Sequence, residues 1–380
     1  GVPFRGVLSQ PSVMMLRNVT RHPVRAALTV LGMAFSTGIL IVSLFINDAM
    51  DELIDVTYFM ADRQDATVSF VEKRPRNAVL QMARLPGVLD AEPYRGVPVR
   101  IRNGSIERRV MIGGRTRSAD LSRIIDVDLR PVVLPETGLA ISDWLATVLG
   151  VGVGDFVEID ILEGQRRTVS LPVAARVEDY FGISGMMDAD ALSRLMREAP
   201  TVNGVHLSLD ATMLGTLYDA LKIMPAVSGV ALQRVSLANF RQAMVTIVTT
   251  MAAIYTGLAA VIAFGVVYNS ARISLSERAR ELASLRVLGF SRAEALRFLL
   301  LELALIVLIA QPPGWAIGYG LARLLNANMA GELMRTPLNI ENTTYVFASL
   351  VVLAAATLSA LAMRRRIDRL DLVAVLKTRD

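Results

Sequence analysis

The chain has no cysteine, only three lysines and only two histidines among its 380 residues. The absence of cysteine excludes disulfides, thiolate chemistry and cysteine-ligated zinc or iron–sulfur sites. It leaves the compartment open, because an oxidising space permits disulfides without requiring them. A phosphate-binding loop needs a lysine directly after a glycine, so that backbone amides and the ammonium hold the phosphates together. Lys73, Lys222 and Lys377 follow Glu72, Leu221 and Leu376, so none can play that part. No ATP site is expected in this chain. With His22 and His206 on opposite sides of the membrane in the topology derived below, neither a shared metal site nor a Ser-His-Asp arrangement is expected. The sequence thus reads as neither an enzyme nor a cofactor-binding protein.

What is abundant is apolar. Hydrophobic residues make up 53% and charged residues 20%, with a mean hydropathy of +0.46. That balance fits membrane spans combined with a water-exposed part. The formal charge is +5, but its placement is more informative. Residues 48–240 carry 26 acids and 21 bases, against 9 acids and 19 bases elsewhere. A nucleic-acid binder would put its basic charge on the soluble domain. Here that domain is acidic and the bases flank apolar runs, so nucleic acid is not an expected partner.

Four runs are long enough to cross about 30 Å of hydrocarbon, which takes roughly 20 residues. They are 26–46, 244–268, 298–321 and 343–363. Glu302 is the one charge inside them. Arg5, Arg17, Arg21 and Arg25 precede the first run with no acid, and six arginines lie between the second and third. Five arginines and Lys377 follow the fourth run, whereas only Arg323 and Arg335 separate the third from the fourth. The positive-inside rule then places 1–25, 269–297 and 364–380 in the cytoplasm. Residues 47–243 and 322–342 face outward. The opposite orientation would ask the membrane to pass six arginines, at about 2.5 to 3.5 kcal/mol each at the bilayer centre. The first run is long enough to remain as a span, and the start at Gly1 leaves open a place in a longer polypeptide.

The expected fold is four transmembrane α-helices with an inserted extracytoplasmic α/β domain. Ile46, Met50, Leu53, Ile54 and Thr57, and again Leu237, Phe240 and Met244, continue the flanking spans at helical spacing; they are expected to pair as stalks. Between them, a strand at 66–71 and a helix at 76–85 precede Pro86-Gly87. Hairpins are expected at 97–112 around Asn103-Gly104 and at 156–177 around Glu163-Gly164. Ser142 is expected to cap a helix ending at Gly150, and Asp155, Glu158 and Asp160 to project from a solvated edge. A strand at 205–209, a helix at 212–224 and a strand at 230–235 close the domain. The echo of Leu85-Pro86-Gly87-Val88 in Met224-Pro225-Ala226-Val227 suggests two β-α-β units sharing a sheet, with the hairpin region a separate β-rich subdomain. In the third span, Pro312 and Pro313 should kink the helix. Gly314 and Gly318 give the small-xxx-small spacing that lets helices approach in lipid. A functional hinge and a plain packing irregularity stay equally open for that stretch.

Between the second and third spans, 274–288 is a strong helix former with mixed charge. Leu275, Leu282, Leu285 and Leu288 share one side; Glu277, Arg278, Arg280 and Glu281 offer the other. Gly289 is a natural C-terminal cap, and Ser291 to Glu294 form a capping box. An interfacial helix on acidic lipid would carry an all-basic polar face. Glu277 and Glu281 break that pattern, so docking in a protein groove is favoured.

The run from Glu277 to Gly289, with Glu302 following, resembles the FtsX/MacB-like permease family of ABC transporters, including lipoprotein-releasing permeases. Leu16 to Arg25, Leu85-Pro86-Gly87-Val88 and Val151-Gly152-Val153-Gly154-Asp155 are similar to other parts of such permeases. Arg286-Val287 departs mildly from the usual pattern, and a fused ATPase is not expected. The resemblance implies a multi-pass protein of the bacterial inner membrane, working with a separate ABC ATPase dimer that binds the ATP and Mg. It implies that Glu277, Arg278, Glu281, Leu285, Leu288 and Gly289 couple to that ATPase, and that the stalks carry motion to the outward domain. A second permease copy or paralogous half, membrane lipid and a periplasmic adaptor are the further partners implied. The function implied is export or extraction of lipids, lipoproteins or drugs; a signal relay controlling an extracytoplasmic enzyme or sensor is the alternative.

Overall fold

The structure, a computed structural model, describes residues 23–277, 292–329, 331 and 335–368. They form two compact units, one of residues 23–49, 246–328 and 338–368, the other of residues 50–245 with the segment 329–337.

The first unit is helical. Its helices are α1 (Pro23–Ile54), the C-terminal part of α6 (Gln233–Glu277), α7 (Arg292–Met329) and α8 (Asn342–Asp368). Four helical stretches, Ala26–Ala61, Gln233–Ile273, Leu303–Asn328 and Asn342–Met363, are long and apolar enough to cross a membrane. Met33, Leu40 and Ile41 of α1 meet Ala259, Ala263, Val267 and Ala271 of α6 in one buried cluster, with residues of α7 and α8. The four α6 residues repeat every fourth position, which aligns them on one face. Asp48 accepts the Glu341 N–H at 3.0 Å and the Thr344 hydroxyl at 2.8 Å. A side chain from α1 thereby satisfies a donor at the start of α8 that would otherwise have no helical partner.

The second unit is built on nine strands. β1 (Ala66–Pro75), β2 (Val88–Asn103), β8 (Thr201–Leu209) and β9 (Val227–Leu232) pair in the order β2-β8-β1-β9. With α2 (Ala78–Ala83) and α5 (Leu214–Lys222), this is a split β-α-β arrangement. The second β-α-β unit inserts a strand between the two strands of the first. Alternation dictates the faces: Ala66, Val68 and Phe70 point to one side with Val205 and Leu207, where Met82, Leu217 and Leu221 cover them. Thr67, Ser69 and His206 point to the other side.

The hairpin region closes on itself. β2 pairs with both β3 (Ile106–Arg115) and β5 (Phe156–Ile161). β3 pairs with β7 (Ser184–Asp188), β7 with β4 (Leu139–Ser142), β4 with β6 (Thr168–Val177), and β6 with β5. Six strands therefore form a ring with no free edge. Its interior is filled by Val97, Ile101, Ile112, Ile141, Ile159 and Val173, with Leu145 and Leu149 of α3 (Asp143–Leu149) and Leu192 of α4 (Ala189–Met196).

This corrects three expectations. The barrel is not detached from the β-α-β units, because the 16-residue β2 runs through both. Its first half pairs with β8 and its second half with β3 and β5. β5 is an interior strand rather than an edge, so Glu158 and Asp160 project from the barrel wall; Asp160 accepts from Thr168 at 2.6 Å. Ser142 precedes α3, but its hydroxyl makes no cap bond there and instead accepts the Ser184 N–H at 3.4 Å. β4, β7 and α4 are additions that sequence periodicity does not indicate. β9 ends at Leu232, and Gln233 already opens α6.

Arg95 stands where β2 passes from one half to the other, with its side chain 7% exposed. Its guanidinium donates to Asn203 Oδ1 at 2.6 Å and to Glu163 Oε1 at 2.7 Å. Lys73 pairs with the same Glu163 and with Glu198, and Arg76 with Asp190. Burial raises the Glu163 carboxyl, but the hydrogen bonds and charges of Arg95 and Lys73 outweigh it and leave the group below its ordinary value.

Candidate functional site

Gly314 and Gly318 lie four residues apart, on one face of α7, against α1. A Cβ added at Gly314 would lie 2.8 Å from Thr37 Cβ and 3.1 Å from the Ala34 carbonyl; one at Gly318 would lie 2.7 Å from Ile41 Cβ. Only hydrogen fits at either position, so the two backbones approach as closely as helices can. From the α1 side, Gly38 returns the approach, with Ile317 3.0 Å from its built Cβ.

Pro312 and Pro313 sit inside α7, whose helix continues through them. Proline carries no N–H, so the carbonyls of Leu308 and Ile309 lose their usual intrahelical donors. Beside them, Gln311 is buried and donates to the Val307 carbonyl at 2.9 Å, while Thr37 donates to the Met33 carbonyl at 3.2 Å and approaches Gln311 Oε1 at 3.4 Å. A second polar seam joins α1 to α6. Ser36 donates to the Ala259 carbonyl at 2.6 Å, and the Thr29 and Ser270 hydroxyls meet at 2.9 Å. In an apolar setting such groups must find partners within the protein, which fixes register between helices.

Of the residues assigned to ATPase coupling, Arg278, Glu281, Leu285, Leu288 and Gly289 lie outside the described residues, and Glu277 closes α6 with its side chain likewise outside them.

In the strand-bearing unit, the exit of α1 and the start of α6 are tied together. α1 widens into a π-helical segment, Asp55–Ala61, that ends at Asp62. The Gln233 side chain donates to the Asp62 carbonyl at 3.0 Å, and the Gln233 N–H to the Asp65 carbonyl at 2.9 Å. Higher up, the Tyr58 and Phe240 rings lie 6.2 Å apart. Arg63 and Arg123 both bind the Asp120 carboxylate, and backbone bonds of Arg63 to Leu121 and of Arg123 to Ala61 hold the 119–123 loop against this segment. Burial raises the Asp62 carboxyl, while the nearby Arg115 charge and bonds from Gln64 and Ser122 oppose it.

His206 lies on the polar face of the four-stranded sheet. Its Nδ1 is 3.0 Å from the Thr67 hydroxyl and its ring 4.9 Å from that of Tyr94, whose hydroxyl is 3.0 Å from Ser69. Burial, reinforced by the Arg115 charge, pushes its pKa down to about 4. Gly204 makes the stack possible: a side chain there would stand 2.2 Å from the Val68 carbonyl oxygen and 2.4 Å from the Tyr94 ring. A neutral, packed imidazole is a structural element, not a proton donor at neutral pH. Among the described residues, no group of three or more His, Asp or Glu side chains is placed to hold a metal ion.

The geometry is that of a packed helical membrane unit and a strand-bearing unit whose helical exits are pinned together. Known proteins were compared with it. No curated protein matches the chain. The crystal structure of the extracellular domain of the ABC-type transporter YknZ from Gram-positive bacteria is 11% identical, covers 43% of this chain and 98% of its own, and superposes with a TM-score of 0.33. The periplasmic region of MacB from Actinobacillus actinomycetemcomitans is 8% identical, covers 50% of this chain and 96% of its own, with a TM-score of 0.35. Residues 253–372 match the family model of the FtsX-like permease C-terminal domain. That stretch includes most of the second apolar run, all of the third and fourth, and the loop between the second and third whose sequence carries the resemblance. Over residues 253–372, about a third of the chain, it is therefore similar to the C-terminal domain of FtsX-like permeases.

Proposed function

We propose that this protein is the transmembrane subunit of an ABC transporter that turns ATP hydrolysis by a separate ATPase into movement of its outward domain. The observation that carries this reading is the match of residues 253–372 to the FtsX-like permease C-terminal domain. The continuous helices α1 and α6 support it, because each runs from membrane-length apolar sequence into the strand-bearing unit. An unbroken helix is stiff, and the Asp62–Gln233 tie makes two of them act as one stalk. Motion at the cytoplasmic ends is then delivered outward without substrate crossing between the spans. The cargo would be hydrophobic or amphipathic: a lipid, a lipoprotein or a drug. The second apolar helix buries only 11% of its apolar window against 56% for the first. Lipid and a second permease copy would cover the rest, and a periplasmic adaptor would engage the outward domain.

The test is co-purification with the ATPase encoded beside it, followed by nucleotide hydrolysis in a reconstituted membrane. Glu281→Lys should abolish association and the permease-dependent part of hydrolysis. Unchanged association would remove the 274–288 helix from the coupling role. Hydrolysis that moves no lipid or lipoprotein but activates an extracytoplasmic hydrolase would make the chain a relay instead.

A further inference from the structure

Three stretches connect the strand-bearing unit to membrane-length helices: residues 50–61 after the first, 233–245 before the second, and 329–337 between the third and fourth. All three meet one loop, residues 178–184, between β6 and β7. Phe181 packs edge-on against Phe240 at 5.8 Å, and Phe240 in turn meets Tyr58. The Tyr180 phenol lies beside the Glu52 carboxylate. From the third stretch, the Arg335 N–H donates to the Tyr180 carbonyl at 3.0 Å, and its guanidinium donates to the Asp179 carbonyl.

The loop is itself held rigid. The Asp179 carboxylate accepts the Ser184 hydroxyl at 2.6 Å and the Phe181 N–H at 3.2 Å. The Glu178 N–H donates to the Ile125 carbonyl at 2.8 Å. Arg335 is 9% exposed and Tyr180 7%, and the charges of Glu178 and Asp179 lie near the buried guanidinium. A connection such as 329–337 could have kept its arginine in water. Burying that arginine is costly unless its charge and donors are matched.

We propose that residues 178–184 form a three-way junction, pinned by Arg335, which makes the linker between the third and fourth helices move with the outward domain and both stalks as one body. The mechanical part of this rests on the permease reading; the junction itself does not. Opening it would strip a buried guanidinium of its charge-assisted bond to the Asp179 carbonyl, a kind stronger than a neutral one. The junction therefore stays closed while the stalks move.

The cysteine-free chain makes the test direct. Backbone atoms of residues 180 and 335 bonded at 3.0 Å put their Cα atoms within disulfide range. The full chain carrying Tyr180→Cys and Arg335→Cys, in native membranes, should cross-link nearly completely under mild oxidation. Absence of a cross-link would overturn the junction. In purified full-length protein, Arg335→Ala should speed amide exchange in 178–184 by about tenfold or more, while the interior of α6 exchanges as before. Arg335→Lys, which keeps the charge but not the planar fork, should fall between. Unchanged exchange in 178–184 for Arg335→Ala would refute the pin. With the ATPase present, the cross-linked protein should retain ATP-driven activity. Its loss on cross-linking would mean that the junction opens during the cycle, contrary to the proposal. If the uncross-linked parent shows no ATPase coupling at all, the permease reading fails, and the cross-link and exchange results still decide the junction.

Discussion

Gly318 faces Ile41 so closely that a Cβ built on the glycine would lie 2.7 Å from the Ile41 Cβ. Ile41 is β-branched and fully buried, so it has little room to turn away. Gly320, two residues on, has open space where its Cβ would be.

That contrast gives a prediction with opposite signs on one helix. Alanine is favoured over glycine in a helix by about 1 kcal/mol, but overpacking costs about 1 to 3 kcal/mol. Gly318→Ala should be neutral to destabilising and Gly318→Val clearly destabilising. Gly320→Ala should be neutral or stabilising. Thermal unfolding of the detergent-solubilised chain reads all three, and a Gly318→Val protein as stable as the parent would show that α1 and α7 do not pack as described.

Arg95 should matter more than its place on a strand suggests. It is buried, and it bridges Asn203 of one half of the strand-bearing unit and Glu163 of the other. Removing one partner of a buried pair typically costs about 3 to 5 kcal/mol. Since Glu163 is partly exposed and keeps Lys73, Arg95→Ala should fall at or below the lower end, about 3 kcal/mol. Glu163→Gln, which keeps an acceptor, should cost less. Denaturant unfolding checks the order, and the loss should shrink little in salt because Arg95 is shielded from solvent.

His206 predicts an acid sensitivity. Its folded pKa of about 4 lies below the unfolded value of 6.5. The unfolded chain therefore binds the proton first, and stability falls as pH drops from about 6.5 towards 4. The loss from this group should reach roughly 2 kcal/mol at pH 5. His206→Gln should remove that part of the pH dependence, measured as the melting temperature between pH 7 and pH 5. An identical slope in parent and variant would contradict the buried, neutral imidazole.

The topology can be read with single cysteines, because the chain has none of its own. Ile223 is 81% exposed on the strand-bearing unit. In intact cells, a membrane-impermeant maleimide should label Ile223→Cys and should reach Arg280→Cys only after permeabilisation. Labelling of both in intact cells would place the 274–288 segment outside and end the coupling mechanism.

Much of this architecture is legible along the chain because its signals are local. A run of about 20 apolar residues, an arginine imbalance or an Asn-Gly turn needs no distant partner to be recognised. The expected hairpin forms at this place, but one residue along from an Asn-Gly turn: Asn103 pairs with Ile106, so Gly104 and Ser105 are the central residues. Four membrane-length helices likewise occur around the four apolar runs. β4 and β7 were hidden for the converse reason. They have four and five residues, too few to show a period. Their pairing partners lie tens of residues away. The helix at 189–196 did leave a trace, since Asp188 accepts the Ala191 N–H at 2.9 Å as an N-cap.

By itself, then, the sequence determined where the membrane-length apolar helices lie, the absence of a nucleotide-binding lysine and the alternation that splits each strand into two faces. These follow from hydrophobic length, charge and period, each a property of neighbours. Only the tertiary structure decided that β2 is shared by two halves, that six strands close a ring, that Gly314 and Gly318 meet Thr37 and Ile41, and that Arg335 is buried against residues 179 and 180. Each of those depends on contacts between residues about thirty or more positions apart, set by which surfaces exclude water together and which buried charges find partners.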